Sequence, residues 1–112
     1  MTDPYPIEID VQAVKSLRDT DEPFLLLDVR NPDEFETARI EGSHLIPMGE
    51  LGDRLDELDA HKDGRIVVHC HHGGRSMQVT QALRSRGYDA AQNMVGGIDA
   101  WSQEIDASVP RY

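Results

Sequence analysis

The stretch RIVVHCHHGGRSMQV, residues 65–79, places the single cysteine of the chain where a nucleophile could act. Cys70 follows a β-branched run that predicts a buried strand, and two glycines and Arg75 come soon after it. Glycines let a backbone fold tightly enough to aim several N–H groups at one anion. A thiol in such a loop, at the start of a helix, is shifted toward the thiolate, the form that attacks electrophiles.

The competing interpretation of Cys70 is a buried, inert side chain, which is the more common state of a free cysteine. Cys70 lies after the predicted strand, however, and not inside it. Arg75 supplies a permanent positive charge whose geometry suits oxyanions. Ser76 can cap the following helix or donate a hydrogen bond to the thiolate. Together these residues favour a pocket that holds a thiolate beside an oxyanion.

Short apolar runs alternate with helical patterns along the chain, which predicts an α/β fold with a mainly parallel sheet and helices on both faces. Ligands of such sheets bind at the carboxyl ends of the strands, where Cys70 is expected. One domain is predicted over residues 1–112, with a core at about 7–105 and an irregular tail at 106–112. The predicted strands are 7–9, 24–27, 44–46, 66–69 and 90–95, and helices are predicted after Asp10, after Asn31 and over 50–58, 76–86 and 98–105.

The amino-acid composition of the chain limits which kinds of molecule it is expected to bind and where it is expected to reside. The formal net charge of −10 over 112 residues disfavours nucleic acids and anionic membranes, because both are bound through clustered Lys and Arg. One cysteine cannot form an internal disulfide, and no apolar run approaches the roughly 18 residues of a spanning helix. The N-terminal residues 1–10 lack a basic region followed by a long apolar segment, so no secretory signal is expected. These features predict a cytoplasmic protein.

Three stretches, in the same order along the chain, resemble the signatures of the rhodanese homology domain, a family of single-domain sulfurtransferases. They are LLLDVRNPDEFETARIEGSHLIP at 25–47, VVHCHHGGRS at 67–76 and NMVGGIDAW at 93–101. The resemblance covers nearly the whole chain. It implies a doubly wound, five-stranded domain whose cysteine carries sulfur as a persulfide.

The resemblance also implies roles for individual residues. Cys70 matches the sulfur carrier, Arg75 the cation that binds an oxyanion, and Asp28 and Arg30 match positions that hold the fold. A small donor such as thiosulfate and an acceptor such as cyanide, a thiol or a protein are implied as partners, with no cofactor and no metal. The residues whose backbone N–H groups match the loop around the sulfur are His71, His72, Gly73, Gly74, Arg75 and Ser76.

The histidines of this loop are a departure from family members that favour thiosulfate, which often carry further Lys or Arg there. His71 and His72 add positive charge only as the pH falls toward a pKa of roughly 6.5, which leaves room for another donor such as a protein persulfide. Their loop is similar to that of rhodanese domains accompanying adenylyltransferases of sulfur-transfer pathways. Either they touch substrate at the rim or they are merely exposed.

The remaining histidines and the tryptophan are given structural roles. A zinc site is not expected, because zinc ligands pair across two clusters and no second Cys-His cluster is present. His69 is predicted to be packed, His44 to be a structural hydrogen-bonding residue and His61 to lie in an exposed loop. Trp101 is predicted to belong to the core, and Gly96 and Gly97 to a turn that in the family lies near the active site.

Two other functions are compatible with the same fold. A phosphatase or arsenate reductase is disfavoured, because such loops hold one more residue between cysteine and arginine than the four between Cys70 and Arg75. A non-catalytic interaction module is disfavoured because Cys70, Arg75 and the loop glycines are all present.

Overall fold

Five parallel strands form one sheet in the order β1-β5-β4-β2-β3 in the computed structural model, which describes residues 5–20 and 22–112. This architecture confirms the predicted fold class. The first four residues, part of the stretch searched above for a secretory signal, lie outside the described residues. The strands are β1 (Glu8–Ile9), β2 (Leu25–Asp28), β3 (His44–Leu45), β4 (Ile66–His69) and β5 (Ala91–Met94).

Among the described residues, four α-helices connect and cover the strands, and local sequence signals set where they begin. The Asp10 side chain caps the first helix by accepting a hydrogen bond from the Ala13 N–H at 2.8 Å. Asn31 and Glu34 form a capping box at the second helix, with proline in its first turn. The helices are α1 (Val11–Asp19), α2 (Pro32–Thr37), α3 (Gly74–Ser85) and α4 (Gly97–Glu104).

Alternate residues of the central strands pack into two separate cores, one on each face of the sheet. Leu26 and Val67 join the apolar sides of α1 and α4, where Trp101 is buried as predicted. Leu27 and Val68 point the other way and pack with the apolar side of α3. Burial on both faces explains why these strands are continuous apolar runs without polar alternation.

The helix predicted over residues 50–58 is wrong. The chain forms two short 3₁₀ helices instead, Met48–Glu50 and Leu55–His61, with turns between them. Glycines at 49 and 52 raise the entropic cost of a continuous α-helix, while Leu58 is still fully buried. The expectation of an exposed loop at His61 is also wrong, because this residue ends the second 3₁₀ helix and is partly buried.

The segment 106–112 has no helix or strand, as expected, but it packs against the domain. Val109 is buried, and its carbonyl accepts a hydrogen bond from the Ser102 hydroxyl at 2.5 Å. This contact leads the chain toward the carboxyl edge of the sheet, where Tyr112 meets residues of the Cys70 loop. Within residues 5–20 and 22–112, no helix has both the length and the apolar character needed to cross a membrane.

Candidate active site

The loops that follow β2, β4 and β5 meet at the carboxyl edge of the sheet, because these strands are parallel neighbours. Residues 29–31 lead from β2 into α2, and residues 70–73 lead from β4 into α3. Residues 95–96 lead from β5 into α4. The three sequence stretches that resemble the family signatures are thereby brought to one place.

Hydrogen-bond donors converge on the sulfur of Cys70, which is only 2% exposed. The backbone N–H groups of Gly73 and Ser76 lie 3.1 and 3.4 Å from Sγ, and the Ser76 hydroxyl lies at 3.4 Å. Gly73 has a φ of +120°, a backbone conformation that other residues rarely adopt. This glycine turns the chain so that the first turn of α3 faces the sulfur.

These contacts favour the thiolate. Burial raises the pKa of the Cys70 thiol, but hydrogen bonds from Ser76, Gly73 and the Arg75 backbone outweigh that effect and bring it below its ordinary value. A lowered pKa increases the fraction of thiolate near neutral pH, and the thiolate is the nucleophilic form. The loop therefore favours the nucleophilic form of Cys70.

Asn93 extends the hydrogen-bond network beyond the loop, and the sequence patterns gave no indication of it. The buried Ser76 hydroxyl lies 2.5 Å from Asn93 Oδ1 on β5. A hydroxyl has one proton, so it can donate either to the Asn93 carbonyl or to Sγ. The hydroxyl can therefore donate to Sγ when Cys70 is a thiolate and to Asn93 Oδ1 when Cys70 is a thiol. Ser76 lies inside the first turn of α3, whose N-cap is Gly73, so its side chain does not cap the helix.

The turn at Gly96 and Gly97 packs against the Cys70 loop and is hydrogen-bonded to it. The N–H groups of Ile98 and Asp99 donate to the carbonyls of Cys70 and His71 at 2.9 and 3.1 Å. A Cβ on Gly97 would lie 2.4 Å from the Cys70 carbonyl oxygen, closer than packed atoms can approach. The first turn of α4 can therefore hold the loop only when residue 97 is glycine.

The Arg75 guanidinium is bound by Glu34, the residue that also forms the capping box of α2 with Asn31. Arg75 Nη1 and Nη2 donate to Glu34 Oε1 and Oε2 at 2.7 and 3.0 Å. The hydrogen bonds from Arg75 outweigh the opposing effect of burial and lower the pKa of the Glu34 carboxyl to about 2. Binding of an oxyanion by the Arg75 side chain stays a prediction, while its backbone contributes to the environment of the sulfur.

Tyr112 closes one side of the site. Its ring stacks on His71 with centroids 4.0 Å apart, and the rings of His71 and His72 also lie 4.0 Å apart. The Tyr112 hydroxyl donates to Glu34 Oε2 at 2.7 Å and accepts from Arg30 Nη1 at 2.9 Å. His71 is partly buried, and burial together with the neighbouring His72 lowers its pKa, whereas His72 is exposed.

Asp28 and Arg30 form an ion pair whose side chains are both 0% exposed. Arg30 Nη2 lies 2.7 Å from Asp28 Oδ2, and the same nitrogen donates to the Ala38 carbonyl at 2.7 Å. Burial lowers the pKa of Arg30, but the hydrogen bonds to Asp28 and Tyr112 outweigh it and raise the pKa overall. The pair ties the end of β2 to the end of α2, which is a structural role.

Two further histidines are placed as predicted. His69 is fully buried, and burial lowers its pKa to about 4. His44 Nε2 lies 2.8 Å from Glu57 Oε1. Within residues 5–20 and 22–112, no three or more His, Cys, Asp or Glu side chains are grouped so that they could hold a metal ion.

Comparison with curated proteins identifies relatives named for sulfur chemistry. Adenylyltransferase and sulfurtransferase MOCS3-1 of Zea mays is 36% identical over 97% of this chain and 24% of its own length. Putative sulfur carrier protein YrkF of Bacillus subtilis is 36% identical over 88% of this chain and 52% of its own length. The chain thus spans a quarter to a half of these relatives, which support a role in sulfur transfer in general.

Two solved structures of similar fold match this chain over almost the whole length of their own chains. The rhodanese-like domain protein from Staphylococcus aureus has a TM-score of 0.81 and 28% identity, and the match covers 96% of this chain and 99% of that one. The human single-domain sulfurtransferase TSTD1 has a TM-score of 0.79 and 27% identity, with 88% and 97% covered. The family model described as the rhodanese-like domain matches residues 10–104. The chain therefore belongs to the rhodanese-like domain family.

Proposed function

We propose that the protein is a sulfurtransferase that carries sulfane sulfur as a persulfide on Cys70. The observation that carries the proposal is the convergence of the Gly73 and Ser76 donors on a single, almost fully buried Sγ. Donors arranged in this way stabilise negative charge on sulfur, whether it belongs to the thiolate or to a persulfide anion. Burial also limits the access of water to the carried sulfur.

In the loading step, the Cys70 thiolate attacks the outer sulfur of a donor. With thiosulfate, a bond forms between Sγ and the sulfane sulfur while the sulfur–sulfur bond of the donor breaks. The electron pair of that bond leaves with sulfite, and the Cys70 persulfide anion remains beside the loop N–H groups. Arg75 is proposed to stabilise the oxyanion of the leaving group.

In the unloading step, an acceptor attacks the outer sulfur of the persulfide. An acceptor thiolate becomes a persulfide, or cyanide becomes thiocyanate, and the electron pair of the broken bond returns to Cys70 as the thiolate. The two displacements leave the protein unchanged, so the reaction needs no redox partner. Thiosulfate, another sulfane donor or a protein persulfide are the proposed donors, and a reducing compartment such as the cytoplasm is the proposed location.

The mass of the intact protein tests this proposal. Reduced protein is incubated with thiosulfate, and separately with a small-molecule persulfide, and is then analysed by mass spectrometry. We expect a gain of one sulfur atom that a reducing agent removes, and we expect C70S to show no gain. Absence of the gain with both donors, in folded protein, would contradict the proposal and favour an interaction module. Hydrolysis of a generic phosphate ester that C70S abolishes would instead indicate a phosphatase.

A further inference from the structure

Glu34 is held in one position by four hydrogen bonds that use both of its oxygens. Oε1 accepts from Arg75 Nη1 at 2.7 Å and from the Asn31 N–H at 3.1 Å. Oε2 accepts from Arg75 Nη2 at 3.0 Å and from the Tyr112 hydroxyl at 2.7 Å. A fork of two parallel bonds to a guanidinium is the strongest form of such a pair. Glu34 is therefore a fixed negative charge next to the loop.

The other arginines that reach this edge of the sheet are also paired. Arg30 is bound to the buried Asp28, and Arg111 Nε lies 3.0 Å from Asp99 Oδ1. Arg75 belongs to the Cys70 loop, and the carboxylate of Glu34 neutralises its positive charge. Each of these three arginines thus has a carboxylate partner within the part of the chain that the structure describes, and a thiolate on Cys70 adds one more negative charge.

We propose that Glu34 sets the donor preference of Cys70 by neutralising Arg75, so that the site accepts a hydropersulfide more readily than the thiosulfate dianion. The inference rests on the proposed sulfur-transfer function and specifies the donor class for it. Thiosulfate brings two negative charges toward a thiolate, whereas a hydropersulfide in its protonated form, R–S–S–H, brings none at the reacting sulfurs. Repulsion between like charges at short distance is strong where water is partly excluded.

The hydropersulfide step balances without a further reactant. The Cys70 thiolate forms a bond to the outer sulfur of R–S–S–H, and the sulfur–sulfur bond of the donor breaks. The electron pair leaves with the inner sulfur as the thiolate R–S⁻, while the outer sulfur keeps its proton. The total charge is −1 on both sides, so this route does not require Arg75 to bind an oxyanion.

The variant E34Q separates the charge of residue 34 from its structural role. Glutamine keeps the length of the side chain and still forms a capping box with Asn31, so α2 retains its start. The rate constant of sulfur loading is measured by mass spectrometry with two donors, thiosulfate and the hydropersulfide of 2-mercaptoethanol. We expect the ratio of the thiosulfate rate to the hydropersulfide rate to rise about tenfold in E34Q.

Two variants and one condition accompany this experiment. E50Q removes an exposed carboxylate that pairs with Arg54 on a 3₁₀ helix, and it should leave the ratio unchanged. Y112F removes the hydroxyl that donates to Glu34 but leaves the charged pair of Glu34 with Arg75, so it should keep the ratio near the wild-type value. Added salt screens charges, so the difference between E34Q and wild type should shrink as ionic strength rises.

The possible results distinguish a failure of the role of Glu34 from a failure of the sulfurtransferase function. If folded E34Q loads sulfur with an unchanged or lower ratio, the role of Glu34 is overturned while the sulfurtransferase function stands. If E34Q does not fold, the wild-type ratio measured against ionic strength decides, because salt screens the repulsion of thiosulfate from a site whose Arg75 is neutralised. A ratio that rises with salt supports the role, and a ratio that stays constant or falls overturns it. If wild type loads from neither donor, the proposed function fails and the inference falls with it.

Discussion

The backbone N–H of Ile98 donates to the carbonyl oxygen of Cys70 at 2.9 Å, which joins the start of α4 to the residue that carries the proposed chemistry. The next N–H of the helix, that of Asp99, donates to His71 in the same way at 3.1 Å. Both bonds require the backbone of residue 97 to lie directly beneath the loop. The position of the sulfur thus depends on a turn far along the chain from Cys70.

Replacement of Gly97 by alanine should displace the loop. The φ of Gly97 is +59°, and a Cβ there would lie 2.4 Å from the Cys70 carbonyl oxygen. We expect G97A to slow persulfide loading tenfold or more and to lower the free energy of unfolding by about 2 kcal/mol. Mass spectrometry and urea denaturation measure the two effects.

G49A is the matched control for this variant, because a Cβ at Gly49 meets no atom within 4 Å. It should load sulfur at the wild-type rate. Wild-type loading by G97A would show that the contact between α4 and the loop is dispensable.

Loss of the Ser76 hydroxyl should raise the pKa of the Cys70 thiol. In the wild type the hydroxyl and N–H donors outweigh the effect of burial, and S76A removes the hydroxyl. The rate of alkylation by iodoacetamide, measured against pH, reports the thiolate fraction. We expect its midpoint to move upward, so that alkylation at a fixed pH below the midpoint slows several-fold.

S85A provides a control within the same helix, because Ser85 is exposed and its hydroxyl donates to the Ala82 carbonyl, away from the sulfur. Its midpoint should equal that of the wild type. An S76A midpoint at or below the wild-type value would mean that the backbone donors alone set the state of the sulfur.

The parts of the fold that local patterns encode were predictable, and Cys70 is the clearest example. Its position after a β-branched run places it at the carboxyl edge of a parallel sheet, and the glycines that follow it predict a tight loop. The capping residues Asp10 and Asn31 likewise mark the starts of their helices. Each of these signals spans only a few neighbouring residues, so one sequence is enough to read it.

The parts that depend on contacts between distant residues were not predictable. The pair of Arg75 with Glu34 joins positions 41 residues apart, and the bond from Arg30 to the Tyr112 hydroxyl spans 82 residues. No local pattern indicates which carboxylate meets an arginine, and the irregular segment 106–112 carries no periodicity that predicts packing. The helix expected over 50–58 is wrong for a local reason. The spacing of the leucines favours an α-helix there, but glycines at 49 and 52 disfavour it.

Removal of one partner of the buried pair Asp28–Arg30 should destabilise the protein strongly. R30M leaves the Asp28 carboxylate without its partner in a site where both side chains are 0% exposed. We expect the free energy of unfolding to fall by about 3–5 kcal/mol, as measured by urea denaturation. K15M breaks the exposed pair with Asp19 and should change stability by no more than about 0.5 kcal/mol. Equal effects of the two variants would contradict the structural role of Arg30.

Replacement of His69 by leucine should reduce the loss of stability in acid. Burial lowers the pKa of His69 to about 4, and neither ring nitrogen has a hydrogen-bond partner among the described residues. The unfolded chain, with a pKa near 6.5, therefore binds the proton first. The neutral histidine stabilises the fold fully above pH 6.5, and this contribution is lost as the pH falls from about 6.5 toward 4.

The wild type should therefore lose about 2 kcal/mol more than H69L between pH 7.5 and pH 4.5, as measured by urea denaturation at each pH. Leucine also leaves no unpartnered polar atom in the core, so H69L should fold at pH 7.5 with stability near that of the wild type. The variant H72Q, at an exposed position of the loop, should lose as much stability as the wild type. If H69L and the wild type lose the same amount, His69 is not the group whose protonation destabilises the fold.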